Sequence, residues 1–340
     1  MPRVIVFYYE WLNTAGNHSG MAYLAARLKK GVGIKTKLMR TPKNYAKWRG
    51  LVKRLWRLFL IKYIKSVLRP DDIFFFMEYI NPSQAPGDHC GIAFDLRKRH
   101  VNNKFIGLVH LPPKSILENL NEDYVRFAAS NVDKIVVMGS NLAGFFAELG
   151  YGNKVSATFH YVDTKFYRPA RHRRNQNDFV VFASGYLYRN DKLLKDVIKG
   201  CPQVTFEICM GFRDLSSMFS DCENVRMNGV LSEREYLKRM QESDISLSVF
   251  DDTVGSNVIT TSLACGLPQV VSDVGAIRDY CSEENAIFCK TVDDHIQAIH
   301  FLSQNRERCL QMGLSARKKA EEISLEKSIR WYHDLFSSLE

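Results

Sequence analysis

The stretch Asp244–Tyr280, DISLSVFDDTVGSNVITTSLACGLPQVVSDVGAIRDY, decides the fold of this chain. Its apolar positions predict a short buried strand over Ile245–Val249 and a second strand over Gln269–Ser272. Between them lie a turn containing Gly255 and an apolar helix that ends at the glycine of Cys265-Gly266. Strand, turn, helix and strand form a β-α-β unit, which predicts a parallel sheet with a right-handed crossover.

The turn before this helix predicts a site for phosphate. Gly255, Ser256 and Asn257 come directly before the apolar helical run. The first N–H groups of a helix have no partner within the helix, and the helix dipole places partial positive charge there. Both features favour an anion. An ordinary turn of a Rossmann-like domain remains the alternative, and the turn by itself does not decide between them.

A longer match comes from Ser256-Asn257, Ala264-Cys265-Gly266, Pro268 and Asp273-Val274-Gly275. With these residues in register, the stretch closely resembles the donor-site signature of the family-4 (group 1) retaining glycosyltransferases of the GT-B fold. The resemblance implies an α/β chain with two Rossmann-like domains that face each other across a cleft. It also implies transfer of a sugar from a nucleotide-sugar to an acceptor with retention of anomeric configuration.

Two glutamates of the family signature are absent. Thr253 and Thr261 occupy their places. In the family the first glutamate holds the transferred sugar and the second holds the ribose of the nucleotide. The departure leaves the identity of the donor open.

A second match covers His160–Pro169, which resembles the segment Asn-Gly-Val-Asp-x-x-x-Phe-x-Pro that closes the first domain of the family. The resemblance predicts an acceptor-side domain over 1–170 and a nucleotide-sugar-binding domain over 178–324. The polar run 171–177 is the expected linker. A final helix over 325–340 is expected to pack back on the first domain.

The resemblance also suggests which residues contact the donor. The family has an arginine and a lysine after the first strand of the second domain, and both neutralise the donor diphosphate. In strict register these two positions hold Tyr186 and Asp191 instead of an arginine and a lysine. Arg189 and Lys192 are the nearest basic residues that could take their place. The residues expected at the donor are Gly16, Gly185, Arg189, Lys192, Asn228, Gly229, Thr253, Gly255, Ser256, Asn257, Val258 and Thr261.

His110 is the candidate catalytic residue. It follows the predicted strand Phe105–Val109, and the carboxyl ends of parallel strands border the crevice in which α/β sheets bind ligands. The resembled family often has a histidine here, beside the transferred sugar. A structural histidine is the alternative.

The positive charge is concentrated in one segment. The chain has 47 Lys and Arg against 37 Asp and Glu, a net charge of +10. No acidic residue lies between Arg40 and Arg69, whereas ten basic residues do, and these ten alone equal the net charge. They are Arg40, Lys43, Lys47, Arg49, Lys53, Arg54, Arg57, Lys62, Lys65 and Arg69.

The same segment predicts a helix that lies on a membrane. From Trp48 to Val67 apolar residues recur at helical spacing, with basic residues between them. A broad apolar face flanked by Lys and Arg is typical of interfacial binding to anionic lipid. A core helix with a basic polar face is the alternative, and nucleic acid is disfavoured because the charges alternate with an apolar stripe. The residues expected at the membrane are Trp48, Lys53, Arg54, Trp56, Arg57 and Phe59.

These observations predict a glycosyltransferase of polysaccharide or lipopolysaccharide biosynthesis. We expect it to be cytoplasmic, peripheral on the inner face of the cell membrane, and to use a glycan or glycolipid acceptor. We expect no metal or cofactor, and the eight cysteines are expected to be reduced and mostly buried. The missing charged positions leave three interpretations open: an unusual donor, replacement by neighbouring residues, or a non-catalytic partner subunit of a glycan synthesis complex. For the basic segment, docking to an acidic partner protein remains the alternative to membrane binding.

Overall fold

The computed structural model describes residues 3–339 except 13, 15, 32, 34, 43–48, 85–87, 171–177, 186 and 210, and it omits the side chains of 49, 50, 52 and 53. The chain divides into two compact units, Met1–Phe159 with Glu326–Glu340, and His160–Leu325. The predicted domains, 1–170 and 178–324, differ from these units in the segment 160–170. The predicted linker 171–177 lies outside the described residues.

Backbone hydrogen bonds explain why the segment 160–170 belongs to the second unit. The N–H of Val162 donates to the carbonyl of Ile323 at 3.1 Å, and the N–H of Leu325 donates to the carbonyl of Val162 at 2.8 Å. The guanidinium of Arg317 donates to the carbonyls of Thr164 and Tyr167 at 3.1 and 3.0 Å. The segment is therefore tied to the end of the second unit.

Unit 1 contains a six-stranded sheet with the strand order β2-β1-β3-β4-β5-β6. All its strand pairs are parallel. Its elements are β1 (Arg3–Tyr8), α1 (Gly20–Lys30), β2 (Lys35–Arg40), α2 (Arg49–Val67), β3 (Ile73–Phe76), α3 (His89–Lys98), β4 (Lys104–Val109), α4 (Pro113–Asn119), α5 (Glu122–Ser130), β5 (Lys134–Met138), α6 (Ser140–Glu148) and β6 (Val155–Thr158).

Unit 2 contains a second parallel six-stranded sheet, with the order β12-β11-β10-β7-β8-β9. Its elements are β7 (Val180–Ser184), α7 (Asp191–Gly200), β8 (Thr205–Cys209), β9 (Val225–Asn228), α8 (Glu233–Gln241), β10 (Ile245–Ser248), α9 (Asn257–Ala264), β11 (Gln269–Ser272), α10 (Ile277–Tyr280), β12 (Ala286–Cys289), α11 (Val292–Gln304) and α12 (Arg306–Glu322).

Each sheet has one point at which the strand order reverses. In unit 1 the chain moves outward from β1 to β2 and then returns to place β3 on the other side of β1. In unit 2 it moves from β7 through β8 to β9 and returns to place β10 beside β7. The carboxyl ends of the two strands at such a switch point are where open α/β sheets bind ligands.

The last helix, α13 (Leu325–Ser337), packs on the sheet of unit 1. The ring centroids of Tyr332 and Phe336 lie 5.3 and 5.4 Å from that of Phe75 on β3. All three side chains are almost completely buried. Aromatic contacts of this kind add to the free energy of burial.

Helix α2 has one buried side and one exposed side. Leu60, Ile61 and Ile64 are at most 4% exposed, and the burial of each stabilises the fold by about 1.5–3 kcal/mol. An exposed apolar face, consisting of Leu51, Leu55, Leu58 and Phe59, lies at the spacing i, i+4, i+7 and i+8. The helix is therefore anchored in unit 1 while four large apolar side chains stay outside the core.

Three further observations bear on function. No helix within the described ranges is both long and apolar enough to cross a membrane. All eight cysteines are free, and seven of them are buried, which agrees with the prediction that most of them are buried. Among the described residues there is no group of three or more metal-ligating side chains.

Candidate functional site

The loops that follow β7 and β10 are joined by hydrogen bonds. The N–H of Asn190 donates to the carbonyl of Val249 at 3.1 Å, and the N–H of Asp251 donates to the carbonyl of Tyr188 at 2.8 Å. The side-chain amide of Asn190 also donates to the carboxylate of Asp251 at 2.9 Å. Because β7 and β10 flank the switch point of unit 2, these bonds fix the loops where a ligand is expected.

Arg189 lies in this pair of loops and is only 7% exposed. One of its terminal nitrogens donates to the carbonyl of Ser184 at the end of β7. Its Nε and Nη1 atoms are buried and have no hydrogen-bond partner among the described residues. Buried donors of a charged group that lack an acceptor cost more than about 1–3 kcal/mol. An anion bound against Arg189 would remove this cost.

The guanidinium of Arg189 keeps its charge despite its burial. Burial lowers the pKa of Arg189 to about 10, while the Asp191 carboxylate opposes that shift. At neutral pH the side chain is therefore still a cation in a region of low dielectric, where electrostatic attraction to an anion is stronger than in water.

The start of α9 offers backbone donors to the same region. The Ser256 side chain caps the helix by accepting from the N–H of Ile259 at 3.3 Å. In the part of the chain that the structure describes, no acceptor meets the N–H groups of Asn257 or Val258. These two N–H groups and the helix dipole favour a phosphate.

A close contact brings this helix start to the turn that Arg189 holds. Gly185 has a φ of +96°, and a Cβ built on it would lie 3.3 Å from Cγ2 of Val258. Arg189 donates to the carbonyl of Ser184, which directly precedes Gly185. The buried cation and the first residues of α9 therefore contact the same two-residue turn. We refer to Gly185, Arg189, Ser256, Asn257 and Val258 as the anion site.

The turn before α9 is held from two sides. A Cβ on Gly255, whose φ is +87°, would lie 2.3 Å from the ring of Tyr280. A Cβ on Gly275 would lie 2.2 Å from the carbonyl oxygen of Thr253. The Tyr280 hydroxyl in turn accepts from the N–H of His160 at 2.9 Å. The two stretches that carry the sequence resemblance are thus in direct contact.

The two threonines that replace the family glutamates bond to local backbone. The hydroxyl of Thr261 donates to the carbonyl of Asn257 at 2.5 Å, one turn back in α9. The hydroxyl of Thr253 accepts from the N–H of Gly255 at 3.1 Å. Both residues were expected at the donor. Both lie beside the anion site and are buried, with hydroxyls engaged in shaping the turn and the helix.

Four other residues that were expected at the donor are not among those of the anion site. The amide of Asn228 donates to the Glu207 carboxylate at 2.6 Å, so this side chain is engaged within the sheet. Gly229 is exposed after β9, and Lys192 is exposed in the first turn of α7. Gly16 lies in unit 1, in the loop after β1, with a φ of +77° and open space beside it.

Sequence reasoning missed Arg213. This residue follows β8 and forms an ion pair with Asp191, the residue that stands where the family has its lysine. The Asp191 carboxylate also opposes the lowering of the pKa of Arg189 by burial, so it lies near both cations. Only its position after the carboxyl end of a strand could have indicated Arg213. The anion site thus has a second cation nearby, already paired with a carboxylate.

Exposed apolar side chains follow the three neighbouring strands β7, β8 and β9. Leu187, Phe212 and Val230 follow β7, β8 and β9, and each is more than half exposed. Large apolar groups that are exposed after the carboxyl ends of such strands are candidates for contact with a partner or a ligand.

In unit 1 His110 lies at the carboxyl end of β4, as predicted. Its Nε2 is 3.8 Å from the carboxylate of Glu78, which follows β3. Trp11, which follows β1, donates its indole N–H to both oxygens of that carboxylate at 2.8 and 2.9 Å. Burial lowers the pKa of His110 to about 4, so the imidazole is neutral at physiological pH. The sequence did not indicate Glu78 or Trp11.

The expected membrane residues of α2 divide into three groups. Trp48 and the side chain of Lys53 lie outside the described residues. Arg54 is exposed and Phe59 is 71% exposed, whereas Trp56 is half-buried. Arg57 forms an ion pair with Asp95 at 2.6 Å and donates to the carbonyl of Gly91. This differs from the expectation that Arg57 meets lipid headgroups, because intramolecular partners occupy its guanidinium.

Comparison with known proteins bears on the fold. No family model matches the chain, and no curated protein resembles it in sequence. Sucrose-phosphate synthase from Thermosynechococcus elongatus has a TM-score of 0.78 at 12% identity, covering 99% of this chain and all of that one. Anabaena HepE in complex with UDP has a TM-score of 0.73 at 13% identity, with the same coverage.

A third structure, a glycosyltransferase from Rickettsia africae, has a TM-score of 0.72 at 12% identity and covers 99% of this chain and 98% of that one. These neighbours are GT-B glycosyltransferases. The likeness extends over the whole length of each protein. The prediction of fold class is therefore confirmed, and the chain has the GT-B fold.

Proposed function

We propose that the protein is a retaining glycosyltransferase that transfers a sugar from a UDP-sugar to a lipid-linked or polysaccharide acceptor. The observation on which this proposal chiefly rests is the anion site of unit 2. There a buried arginine, two of whose donors have no partner in the described part of the chain, and the start of a helix converge on one turn at the switch point of a parallel sheet. A nucleotide diphosphate fits this combination of fixed positive groups.

The proposed chemistry needs electrostatic stabilisation of the leaving group. When the sugar leaves, negative charge develops on the terminal phosphate of the diphosphate. Arg189 and the N–H groups of Asn257 and Val258 are already oriented, so they stabilise that charge without reorganising. In a retaining reaction of this kind the leaving phosphate can take the proton of the acceptor hydroxyl. The protein then needs neither a metal nor a side-chain base.

The choice of UDP is supported by a structural neighbour and by the surface beside the anion site. Anabaena HepE binds UDP and UDP-glucose. In this chain Phe212 and Val230 lie exposed after β8 and β9, the two strands on one side of β7. We propose that they contact the base, because aromatic side chains stack on nucleobases with about 1–3 kcal/mol per base. The sugar itself stays open, since Thr253 and Thr261 replace the family glutamates.

The acceptor side of the proposal rests on α2. Its exposed apolar face is flanked by the exposed cations Arg54, Lys62 and Lys65. Anionic lipids attract each Lys or Arg near the surface by about 1 kcal/mol, and the apolar side chains add burial in the interface. We propose that α2 holds the protein on the cytoplasmic face of the cell membrane, where a lipid-linked glycan is the acceptor.

A second function is favoured by two observations. The hydroxyl of Thr261 is engaged with the helix backbone, and Asp191 stands where the family has a cation. A chain that binds a nucleotide-sugar weakly and does not transfer it would act as a non-catalytic partner subunit. Donor turnover distinguishes the two functions.

The test measures the dissociation constants of UDP and UDP-glucose by calorimetry for the wild type and for Arg189→Ala. We expect binding by the wild type and at least about tenfold weaker binding by the variant, because a charge-assisted hydrogen bond contributes about 1.5–3 kcal/mol. Arg306→Ala is the control. Arg306 forms an ion pair with Asp244, which directly precedes β10. This pair therefore lies at the amino end of that strand, whereas the anion site lies at the carboxyl ends. Equal affinities of wild type and Arg189→Ala would refute the assignment of the site.

A further inference from the structure

A second arginine of unit 2 stands beside the anion site. Arg213 follows β8, and its guanidinium forms an ion pair with the carboxylate of Asp191, the first residue of α7. Arg189, the cation of the anion site, lies two residues before Asp191. Because β7 and β8 are neighbours in the sheet, the loops that carry the two arginines leave the sheet side by side. The proposed function uses only the first of these arginines.

The charges of the two arginines influence each other. Burial is the main cause that lowers the pKa of Arg189 to about 10, and the positive charge of Arg213 acts in the same direction. The carboxylate of Asp191 acts in the opposite direction. Because the interaction between charges weakens with distance, the three groups lie close together. Two cations held this close to each other are unfavourable unless an anion compensates them, so the pair of arginines favours a ligand with more than one negative charge.

Most of the Arg213 guanidinium is still available to a ligand. It has five N–H donors, and one of its nitrogens, Nη2, donates to the Asp191 carboxylate. Within the described ranges Arg213 has no other hydrogen-bond or ion-pair partner. Its side chain is 35% exposed, whereas that of Asp191 is 15% exposed. The ion pair therefore restrains the arginine at one nitrogen and leaves another edge of the planar group open, which suits bidentate binding of a phosphate.

We propose that Arg213 binds the inner phosphate of the donor, the one attached to the nucleoside, while Arg189 and the start of α9 bind the terminal phosphate. Asp191 holds the guanidinium of Arg213 in place for this contact. The inference rests on the proposed function, and it assigns a role to Arg213, a residue that the sequence resemblance does not mark. Arg213 contacts the substrate, whereas Asp191 acts through Arg213 as a positioning residue.

The order of the strands supports this assignment. Four neighbouring strands of the sheet have the order β10-β7-β8-β9. The start of α9 follows β10, Arg189 follows β7 and Arg213 follows β8. Neighbouring strands lie about 4.8 Å apart, a step that a diphosphate can span. Phe212, the proposed contact of the base, is exposed and directly precedes Arg213. A nucleoside diphosphate that lies along this edge of the sheet thus has its inner phosphate at the loop after β8.

A purely structural ion pair is the alternative. Partly exposed ion pairs contribute little to stability, and the bond between Arg213 and Asp191 could fasten the loop after β8 to α7 without touching a ligand. The two interpretations differ in what they predict for binding. A ligand contact changes the affinity for a nucleoside monophosphate, whereas a fastened loop changes only the melting temperature.

The test compares UMP and UDP in calorimetry for the wild type, Arg213→Ala and Arg189→Ala. UMP carries only the inner phosphate. We expect Arg213→Ala to weaken both nucleotides by at least about tenfold, because both lose a charge-assisted hydrogen bond. Arg189→Ala should weaken UDP and leave UMP within about twofold of the wild type.

Arg306→Ala is the matched control. Arg306 also donates through one nitrogen to a carboxylate, that of Asp244, but at the amino end of a strand. We expect it to bind UMP and UDP like the wild type. Unchanged affinity of Arg213→Ala for both nucleotides, or a loss for UDP alone, would overturn the proposal.

A double variant tests the positioning role of Asp191. If Asp191 holds Arg213, the loss of UMP affinity caused by Arg213→Ala should be smaller in the Asp191→Asn background, by at least about threefold. A pair that only fastens the loop would couple the two residues in melting temperature and not in UMP affinity. An undiminished loss of UMP affinity in the Asp191→Asn background would overturn this role.

Inorganic pyrophosphate separates the inference from the proposed function, because it contains neither a nucleoside nor a sugar. We expect the wild type to bind it and Arg213→Ala to bind it at least about tenfold more weakly. That result without turnover of UDP-glucose would leave the role of Arg213 intact and refute the transferase. Turnover of UDP-glucose, with wild-type affinity of Arg213→Ala for pyrophosphate, UMP and UDP, would refute the role of Arg213 alone. A wild type that binds none of the three would refute both.

Discussion

The ring of Tyr280 leaves no space for a side chain at Gly255. A Cβ there would lie 2.3 Å from Cε2 of the tyrosine, and the φ of +87° is itself unfavourable for other residues. The same tyrosine accepts a hydrogen bond from the backbone of His160. One buried aromatic residue thus supports the turn before α9 and fixes the segment that begins the second unit.

This relationship predicts the effect of Gly255→Ala. The added methyl must displace the ring of Tyr280 or the turn, so the melting temperature should fall by several degrees, as expected for a loss of about 1–3 kcal/mol. The affinity for UDP should fall as well, because the N–H groups of α9 move with the turn. Tyr280→Phe keeps the ring and removes only the hydroxyl, so it should keep most of the UDP affinity. A fully active Gly255→Ala would show that the turn is not part of the site.

A charge placed at the start of α9 should separate stability from binding. In Asn257→Asp a carboxylate stands at the first residue of the helix, where the dipole stabilises negative charge by about 0.3–1 kcal/mol. The same charge repels a bound phosphate. We therefore expect an unchanged or raised melting temperature together with the loss of UDP and UDP-glucose binding in calorimetry. Asn257→Ala is the control, and unchanged donor affinity in Asn257→Asp would place the phosphates elsewhere.

His110 should make stability depend on pH. The folded pKa of about 4 lies below the ordinary value of 6.5, so the unfolded chain binds more protons between these values. The stability due to the neutral ring is complete above about pH 6.5 and is lost as the pH falls toward 4, by about 3 kcal/mol at most. Glu78, 3.8 Å away, favours the protonated ring and reduces this amount. Melting temperatures of His110→Asn should fall less steeply than those of the wild type over this range.

The exposed face of α2 should govern adhesion to anionic vesicles. Leu55→Glu and Phe59→Glu change residues that are 49% and 71% exposed, so the fold should stay intact. Sedimentation with vesicles of phosphatidylglycerol and phosphatidylethanolamine should decrease strongly for both, because the added charges oppose interfacial burial. Leu314→Glu on α12, where the leucine is 75% exposed, is the matched control. Equal sedimentation of all variants would exclude α2 as the membrane contact.

Local sequence patterns were sufficient for most of the fold. The bounds predicted for β11, Gln269–Ser272, are those observed, because Val270 and Val271 follow the break at Gly266 and Pro268. Ser232 and Glu235 form a capping box at the start of α8, and their spacing of three residues is a local pattern that a sequence can reveal. Strand β6 was not predicted, since Val155–Thr158 is a half-exposed edge strand without an apolar run.

Local sequence patterns could not predict the contacts between residues that are far apart in the chain. Glu78 is 67 residues from Trp11 and 32 from His110, so no local pattern could reveal the group that they form. The burial of Arg189 depends on the pairing of its loop with the loop after β10, about sixty residues further along the chain. The sequence could name Arg189 as a candidate, but only the structure shows that two of its donors are buried and meet no partner among the residues it describes.

A crystal structure of the protein grown with UDP would test the central claim most directly. The account predicts the terminal phosphate within hydrogen-bond distance of the N–H groups of Asn257 and Val258 and of Nε or Nη1 of Arg189. It also predicts the uracil on the side of Phe212 and Val230. A diphosphate bound away from Arg189 and α9 would contradict the account.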